Sequence, residues 1–420
     1  MSKNIWIWNH YATNMFFDKA GRHYWFAENL IKSGYRVTIF CASTNHFSGT
    51  KIDTNGFKYT KDLVNDISFV FVDTPEYKGN GKKRIINMLS FYRNIFLVAK
   101  QYSKENEKPD VIIASSVHPL TLVAGIQIAK RYSVPCICEI RDLWPESIVE
   151  YSSLRKNSLI AKALYLGEKW IYKKAHNIIF TIEGGCDYIK NQKWDESNGG
   201  PIDISKVHHI NNGVNLIEFE ENIKNNTYID EDLDNPGIFK VVYAGSIRKA
   251  NNLNLIIEAA KYVRNNSSSK IKFLIFGDGD EKAELEDKCK KENINNVIFK
   301  GRVNKKFVPS ILSKSNLNIL NYSNNEIWKY GGSQNKNFEY LASGKPILST
   351  ITMGYDIIKK YEAGITLSSQ SPENIGKAVI FISKLSNEEY ERMSRNARKA
   401  AEDYDFKVLS QKLISIIEGD

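Results

Sequence analysis

Short apolar runs alternate along the chain with longer segments in which apolar residues recur every three or four positions. Residues 4–8 are one such run, and residues 22–33 form the first helical segment, which ends at Gly34. Strands that alternate with helices form parallel sheets covered on both faces, so the pattern predicts an α/β fold. The predicted strands are residues 4–8, 36–41, 110–114, 135–140, 178–181, 240–244, 272–276, 297–299, 317–320, 345–349 and 365–367.

One acidic segment interrupts this rhythm near the middle of the chain. Residues 217–237 contain seven acidic residues and a Pro-Gly pair, a composition typical of a linker between domains. We therefore expect a first domain at residues 1–216, a second at residues 238–402, and a last segment, residues 403–420, that packs back on the first. Two Rossmann-like parallel-sheet domains would then face each other across a cleft, the usual place for a ligand.

The composition is that of a globular protein. Of the 420 residues, 42% are hydrophobic and 25% are charged, which excludes a disordered or fibrous chain. No apolar run approaches the ~20 residues that span a bilayer. The N-terminus lacks the apolar segment and cleavage site of a signal peptide, so we expect a cytoplasmic protein. The net charge of +10 favours a negatively charged partner, either nucleic acid or a membrane surface.

Glycines stand at two predicted strand-to-helix turns. Gly21 precedes the first helix, in Asp18-Lys-Ala-Gly21-Arg22, and Gly277 and Gly279 follow a strand. A glycine lets the backbone approach a ligand, and the free N–H groups of the following helix attract a phosphate. An ordinary tight turn explains each glycine equally well. The chain has neither the G-x-G-x-x-G fingerprint of dinucleotide binding nor a P-loop.

A third loop combines a helix start, a cation and a carboxylate. Ser333 leads into a helix that is expected to begin at Gln334 and Asn335, whose amides can hold a diphosphate. Lys336 follows in the first turn, and the carboxylate of Glu339 can accept hydrogen bonds from both hydroxyls of a ribose. The alternative is a capped helix with a surface glutamate.

Polar side chains also follow two strands of the first domain. His118, in Ser115-Ser-Val-His118-Pro119, stands at the carboxyl end of a strand, which places it over the crevice rather than in the core. Asp142 and Glu146 follow the next strand and face the same crevice, where Asp142 could orient an acceptor hydroxyl. The alternatives are a structural hydrogen bond for His118 and a structural ion pair between Arg141 and Asp142.

Several motifs resemble those of one enzyme family. Glu339 with Ala342-Ser-Gly-Lys-Pro-Ile347 resembles the nucleotide-sugar motif of glycosyltransferase family 4, the retaining enzymes of the GT-B fold. Asn211-Asn-Gly-Val-Asn215 is similar to the family's Asn-Gly-Val-Asp signature, and Phe276-Gly-Asp-Gly279 to its Gly-Asp-Gly turn. Arg141-Asp-Leu-Trp-Pro-Glu146 and Ser333-Gln-Asn-Lys336 look closest to the branch of bacterial capsule and O-antigen transferases, which includes N-acetylfucosamine transferases.

The resemblance implies roles for individual residues. His118 would lie against the donor hexose, while Arg248 and Lys336 would stabilise the diphosphate as its negative charge grows in the transition state. Two departures from the family pattern stand out: Gly331 occupies the place of the first of two glutamates, and Ser246 that of an arginine. The residues expected to bind the donor are Gly21, Gly245, Ser246, Lys249, Gly277, Gly279, Arg302, Ser333, Gln334, Asn335 and Glu339, and those expected at the acceptor are Asp142 and Glu146.

Basic residues and aromatic rings are interleaved in two segments of the first domain. Residues 78–104 contain seven lysines and arginines and no acidic residue, and residues 154–174 have six against Glu168 alone. Basic amphipathic helices of this kind bind anionic membrane surfaces. A lipid-diphosphate-linked acceptor would suit such a surface. The alternative is a solvated basic face whose apolar side belongs to the core.

These features predict a glycosyltransferase at the inner face of the plasma membrane. It would move an N-acetylated hexosamine or deoxyhexosamine from a UDP-sugar to a lipid-linked saccharide in surface polysaccharide synthesis. We expect no cofactor and no essential metal, because no Asp-x-Asp pair stands at a strand end in a metal-binding context. We also expect a monomer or dimer, and no nucleic-acid partner, because no binding motif accompanies the basic segments. The alternatives are a GT-B isomerase such as a UDP-N-acetylglucosamine 2-epimerase, and a non-catalytic nucleic-acid-binding protein.

Overall fold

The chain folds into two compact units in the computed structural model. The first unit comprises Met1–Asn211 and Phe406–Asp420, and the second comprises Asn212–Asp405. Each unit is built on one sheet, so the predicted fold class of two α/β domains with parallel sheets is confirmed. The residues that the structure describes are 2–46, 48–79, 81–151 and 154–419.

The first unit is built around an eight-stranded sheet. Its strands are β1 (Asn4–Trp8), β2 (Arg36–Ala42), β3 (Tyr59–Val64), β4 (Ile67–Val72), β5 (Val111–Ser115), β6 (Cys136–Ile140), β7 (Asn177–Phe180) and β8 (Val207–His209). The spatial order is β3-β4-β2-β1-β5-β6-β7-β8, and only β3 and β4 pair antiparallel. Its helices in this part of the chain are α1 (Thr13–Asp18), α2 (Arg22–Lys32), α3 (Lys82–Glu105), α4 (Pro119–Tyr132), α5 (Glu146–Tyr151), α6 (Leu159–Lys174) and α7 (Gly185–Asn191).

Three strands of this sheet were not among the predicted ones. β8 is a short edge strand, and β3 and β4 form a hairpin that turns at Asn65 and Asp66. Both turn residues have positive φ, 48° and 64°, which asparagine and aspartate tolerate better than most residues. The other strands follow the expected pattern: all five residues of β1 are buried, because parallel sheets are covered on both faces.

The second unit is built around a six-stranded parallel sheet. Its strands are β9 (Phe239–Ala244), β10 (Ile271–Phe276), β11 (Val297–Gly301), β12 (Leu317–Leu320), β13 (Ile347–Ser349) and β14 (Gly364–Thr366), in the order β11-β10-β9-β12-β13-β14. Its helices are α8 (Leu216–Asn225), α9 (Leu253–Asn266), α10 (Lys282–Lys291), α11 (Val308–Ser313), α12 (Asn335–Ala342), α13 (Ile357–Tyr361), α14 (Pro372–Ile382) and α15 (Asn387–Asp403). Apolar residues of α9 and α14, among them Ile256, Ile257 and Val379, share one buried core with Phe273 and Ile275 of β10.

The acidic segment at 217–237 folds with the second unit instead of forming a linker. It contains α8, whose N-terminus is capped by Asn215 Oδ1 accepting from Glu218 N at 3.0 Å. Lys300 Nζ, on β11, lies 2.7 Å from carboxylate oxygens of both Asp230 and Asp232. Three of the seven acidic residues, Asp230, Asp232 and Asp234, thus pair with lysines of the second unit, a partnership that composition alone does not reveal.

The last helix, α16 (Phe406–Glu418), belongs to the first unit. It packs against α2, where the rings of Phe26 and Phe406 meet edge to face with centroids 5.6 Å apart. The chain therefore leaves the first unit after Asn211 and returns to it at the end.

Candidate active site

In the second unit, the loops at the carboxyl ends of β9, β10 and β11 are hydrogen-bonded and closely packed. Gly277 N donates to Gly301 O at 2.8 Å, which extends the bonding of the sheet beyond its strands. A Cβ on Gly277 would lie 1.8 Å from Gly245 O, and one on Gly279 would lie 2.0 Å from Ile247 O. The close packing of two loops therefore requires both glycines, whatever their part in donor binding.

Lys336 reaches these loops from the first turn of α12. Its Nζ donates to Tyr243 Oη at 2.9 Å and lies 4.4 Å and 4.8 Å from the ring centroids of Tyr243 and Tyr322. A Cβ on Gly245 would be 2.8 Å from this Nζ, so the amine rests against the backbone that follows β9. Burial lowers the pKa of Lys336 to about 7, although the charge of Glu339 opposes the shift. A phosphate placed here would favour the ammonium form.

Glu339 follows one turn later on α12, as the sequence predicted. Burial raises the pKa of Glu339, while the positive charges of Lys305 and Lys336 lower it. Its carboxylate forms no ion pair among the described residues. Two carboxylate oxygens one helical turn from a buried amine can accept two ligand hydroxyls while the amine meets an anion.

The start of α12 offers further polar groups. The helix begins at Asn335 with Gln334 as its N-cap, which is where the sequence placed it. Gln334 Oε1 is buried without a hydrogen-bond partner among the described residues. Ser333 has protein partners, because its Oγ accepts from Asn212 N at 2.9 Å and its carbonyl from Asn212 Nδ2 at 2.6 Å. The Asn-Asn-Gly-Val-Asn motif thus supports the loop that leads into α12.

The structure leaves several predicted donor residues outside these contacts. Ser246 Oγ donates to Asn251 Oδ1 at 3.1 Å, and Arg248 is the N-cap of a short 3-10 helix, Lys249–Asn251. Their part in donor binding stays a prediction. Five residues that were predicted to contact the donor are exposed: Ser246, Arg248, Lys249, Arg302 and Asn335.

His118 of the first unit is fully buried, whereas the sequence placed it over an open crevice. It is the N-cap of α4, and its Nε2 lies 2.6 Å from His10 Nδ1. His10, in the loop after β1, stacks on Phe91 of α3 with ring centroids 4.5 Å apart. The loop after β1 and α3 therefore cover this strand end, which the sequence pattern could not show.

A chain of hydrogen bonds fixes the proton positions on both histidines. Asn87 Nδ2 donates to Pro75 O at 2.6 Å, which leaves Asn87 Oδ1 to accept from His10 Nε2 at 2.7 Å. His10 Nδ1 then has no proton and accepts from His118 Nε2. In neutral His118 the remaining nitrogen, Nδ1, is consequently an acceptor, and it is buried without a partner among the described residues.

Both rings are neutral at physiological pH. Burial lowers the pKa of His118 to about 3, and the nearby charge of Arg84 contributes to the shift. Burial also lowers the pKa of His10 well below its usual value, assisted by His118. The unprotonated Nδ1 of His118 is therefore a hydrogen-bond acceptor and cannot supply a proton.

A buried polar network lies behind Gly21, and the sequence pattern did not predict it. Gly21 has a φ of 113°, which favours glycine, and precedes α2. Arg22 Nε donates to Glu139 Oε1 at 2.7 Å, and His23 Nε2 lies 2.8 Å from Glu139 Oε2. Burial alone would raise the pKa of Glu139, but Arg22 and His23 hold that pKa well below its usual range. The available signal was a charged residue inside an apolar strand, Cys136-Ile-Cys-Glu139-Ile.

The two predicted acceptor residues have different surroundings. Glu146 accepts from Lys156 Nζ at 2.8 Å and from Tyr165 Oη, so both of its oxygens have protein partners. Asp142 is exposed, and the structure contains no ion pair between Arg141 and Asp142, which was the structural alternative for that motif. Only Asp142 remains open to an acceptor hydroxyl.

The two basic segments form helices with exposed apolar side chains. Large apolar residues that α3 and α6 leave exposed are Ile85, Ile86, Leu89, Leu97, Leu159, Ile160, Leu166 and Trp170. Within the described part of the chain, no helix is long and apolar enough to cross a membrane. The same residues contain no group of three or more His, Cys, Asp or Glu side chains that could hold a metal ion.

Models of two glycosyltransferase families match successive parts of the chain. The Glycosyltransferase Family 4 model matches residues 24–218, and the Glycosyl transferases group 1 model matches residues 224–400. The protein is a glycosyltransferase of the GT-B type. This agrees with the family that the sequence motifs indicated. No curated protein matches the sequence of this glycosyltransferase significantly.

Solved structures share the fold of this glycosyltransferase. A trehalose-6-phosphate structure from E. coli bound with UDP-2-fluoro glucose has a TM-score of 0.73 at 11% identity, over 99% of each chain. The Anabaena protein HepE in complex with UDP and glucose has a TM-score of 0.67 at 12% identity, over 100% of both chains. WaaG, a glycosyltransferase involved in lipopolysaccharide biosynthesis, has a TM-score of 0.64 at 13% identity, over 99% of this chain and 100% of its own.

Proposed function

We propose that this glycosyltransferase moves an N-acetylated hexosamine or deoxyhexosamine from a UDP-sugar to a lipid-linked saccharide in surface polysaccharide synthesis. The second unit binds the donor, and the first binds the acceptor. The UDP complexes of HepE and of the E. coli structure support the choice of nucleotide. The involvement of WaaG in lipopolysaccharide biosynthesis supports the class of acceptor.

The arrangement of Lys336 and Glu339 on successive turns of α12 carries the proposal. A nucleoside diphosphate has an anionic diphosphate and two ribose hydroxyls. A site that recognises both therefore places a cation for the diphosphate at a fixed distance from a carboxylate for the hydroxyls. Lys336 Nζ is held against Gly245 by Tyr243, with its N–H donated at 2.9 Å. Glu339 forms no ion pair among the described residues, so its oxygens are available to hydroxyls.

Charge stabilisation at the diphosphate drives the proposed reaction. As the bond from the sugar to the diphosphate breaks, negative charge grows on the leaving phosphate oxygen. Lys336, the exposed Arg248 and the free N–H groups at the start of α12 stabilise that charge. The assignment of His118 to the donor sugar rests on the resemblance to family 4. Retention of the anomeric configuration rests on the resemblance to family 4.

We propose that α3 and α6 hold the enzyme at the inner face of the plasma membrane. Basic residues on these helices attract anionic headgroups, at about 1 kcal/mol for each residue near the surface. The exposed apolar side chains, such as Ile86 and Leu159, enter the headgroup region. This location brings the acceptor domain to a substrate that resides in the membrane.

Thermal unfolding in the presence of UDP-, GDP- and TDP-sugars tests the donor site. A UDP-sugar should raise the melting temperature of the wild type, because a ligand that binds only the folded state stabilises it. The rise should be largely lost in Glu339→Ala. Failure of every nucleotide sugar to stabilise the wild type would refute the donor site.

A further inference from the structure

Two of the predicted donor cations lie on a short stretch after β9, residues 248–252, called here the cation segment. Arg248 precedes the 3-10 helix Lys249–Asn251 and Lys249 begins it, and both side chains are exposed. Neither forms an ion pair among the described residues, so both are available to a phosphate. A diphosphate can contact them together with Lys336 only if the cation segment is held at a fixed position relative to α12.

Asn321, directly after β12, holds the end of the cation segment through its side-chain amide. Its Nδ2 donates to Asn251 O at 2.6 Å and to Asn252 O at 2.9 Å, so both amide hydrogens are used. Its Oδ1 accepts from the hydroxyl of Thr350, and Gln370 Nε2 donates to that hydroxyl at 3.1 Å. The side chain of Asn321 is fully buried. These bonds fix the amide in one orientation, with its nitrogen toward the cation segment.

The next two residues connect the same segment to Lys336. Ser323 donates from its backbone N to Ala250 O and from its Oγ to Lys249 O, both at 2.9 Å. The ring centroid of Tyr322 lies 4.8 Å from Lys336 Nζ. The loop after β12 therefore binds four successive carbonyls of the cation segment and, through one ring, contacts the amine of Lys336.

These hydrogen bonds fix the backbone of the cation segment and leave its charged side chains unused. Cations that are already in place when a diphosphate binds lose less conformational freedom, and they stabilise growing negative charge without having to reorient. A residue that holds them by the backbone therefore affects ligand affinity although it does not touch the ligand.

We propose that Asn321 is a positioning residue of the donor site, which holds Arg248 and Lys249 where they meet the diphosphate next to Lys336. The inference rests on the proposed function and adds a residue that acts on the ligand only through the cation segment. Loss of its amide should weaken the contacts to the diphosphate and leave those to the nucleoside unchanged.

Calorimetry with UDP and ligand-observed NMR with uridine test this role in the full chain. Asn321→Ala should weaken UDP binding about tenfold, because the cations are no longer fixed, and should leave the affinity for uridine unchanged. Asn296→Ala is the matched control. Asn296 Nδ2 also donates to a backbone carbonyl, Ala260 O at 2.8 Å, but the residue lies at the amino end of β11, at the edge of the sheet opposite to the donor loops. This control should bind both ligands like the wild type.

A double-mutant cycle shows whether Asn321 acts through the two cations. In the double variant Arg248→Ala/Lys249→Ala no cation of the segment is left to be positioned, so the addition of Asn321→Ala should cause no further loss of UDP affinity. Independent, multiplying losses of UDP affinity would overturn the proposal. Equal weakening of UDP and uridine binding in Asn321→Ala, or a UDP affinity equal to that of the wild type, would also overturn it.

Ser323→Ala replaces Asn321→Ala if the latter does not fold. It removes only the bond from Oγ to Lys249 O, on a half-buried side chain, and should weaken UDP binding about threefold with unchanged uridine affinity. Ser313→Ala loses a similar bond, from Oγ to Ser310 O at 2.9 Å, and should bind UDP like the wild type. Equal UDP affinities in these two serine variants would then refute the positioning role.

UDP binding by the wild type keeps this inference distinct from the proposed function. If Lys336→Met weakens UDP binding and Asn321→Ala does not, the donor site stands and only the positioning role is refuted. Absence of UDP binding in the wild type would refute the donor site and the positioning role together.

Discussion

His118 Nε2 donates to His10 Nδ1 across 2.6 Å, and this bond leaves His118 Nδ1 as a buried acceptor. The direction of the bond is set by Asn87, whose amide nitrogen is committed to Pro75 O. His10 and Asn87 are therefore positioning residues: they act on a ligand only through the ring of His118. Nitrogen-15 NMR should find Nε2 protonated on both rings.

Asn87→Asp should reverse this arrangement. A carboxylate beside His10 Nε2 favours the charged imidazolium, which then donates from Nδ1 to His118 and moves the His118 proton to its own Nδ1. We expect kcat to fall about tenfold to a hundredfold, with unchanged UDP affinity and a protonated His118 Nδ1 in the NMR spectrum.

Asn94→Asp is the matched control for that variant. Asn94 is also on α3, and its Nδ2 donates to Asp73 O at 2.7 Å, so the same kind of backbone bond is lost without contact to a histidine. Equal losses of kcat in the two variants, or an unaltered His118 tautomer in Asn87→Asp, would contradict the positioning role.

Acid should destabilise the first unit through its neutral histidines. The pKa of His118 is lowered to about 3, so the unfolded chain binds a proton below about pH 6.5 that the folded chain does not. Stability then falls as pH decreases, by about 1.4 kcal/mol per pH unit for each such histidine, until the folded pKa is reached.

Urea unfolding between pH 5 and 7.5 measures this dependence. Tryptophan fluorescence reports mainly on the first unit, because Trp328 is the one tryptophan of the seven that belongs to the second unit. His118→Phe should reduce the slope of the unfolding free energy against pH by about the contribution of one histidine. An equal slope in the wild type and this variant would show that His118 is not held neutral.

Nucleotide affinity should depend on pH through Lys336. Burial lowers the pKa of Lys336 to about 7, and a diphosphate binds its ammonium form. Affinity for UDP should be nearly constant just below pH 7 and fall by up to tenfold per pH unit above it, because binding must then take up a proton. Calorimetry at pH 7, 8 and 9 measures the trend. The arginine of Lys336→Arg stays charged, so the UDP affinity of this variant should not change over the same pH range. A UDP affinity that is independent of pH in the wild type would show that Lys336 does not bind the diphosphate.

Glu339 should recognise the ribose hydroxyls. Hydrogen bonds to a charged group contribute about 1.5–3 kcal/mol, so the wild type should bind UDP roughly tenfold to a hundredfold more tightly than 2′,3′-dideoxy-UDP. Glu339→Ala should bind the two equally. Glu326→Ala removes an exposed carboxylate of the same unit and should keep the preference. If Glu339→Ala still bound UDP more tightly than 2′,3′-dideoxy-UDP, the ribose would not bind at Glu339.

The sequence pattern predicted the elements whose burial is regular. The observed bounds of β1 equal the predicted ones, because a strand buried on both faces is a clear apolar run in the sequence. The strand β3 was missed because it lies at the sheet edge with three exposed residues in succession and so shows no alternation. Its turn at Asn65-Asp66 was the available signal.

The candidate site was predictable where it is local. Lys336 and Glu339 share one helix, so their spacing could be read from the sequence. The bonds joining His10, Asn87 and His118 connect a loop and two helix positions far apart in the chain, and each residue alone was an ordinary polar position. Tyr243 and Tyr322, which flank Lys336, were likewise hidden, because aromatic residues near strand ends are usually core.

A transfer assay measures the proposed reaction itself. The purified enzyme is incubated with a panel of UDP-linked N-acetylated sugars and a lipid-diphosphate-linked monosaccharide in anionic vesicles, and the lipids are analysed by mass spectrometry. We expect a lipid product heavier by one N-acetylated sugar residue, an equal amount of released UDP, and a large loss of both in Lys336→Met. Conversion of a UDP-sugar into an isomer with no lipid product, or product formation that is undiminished in Lys336→Met, would contradict it.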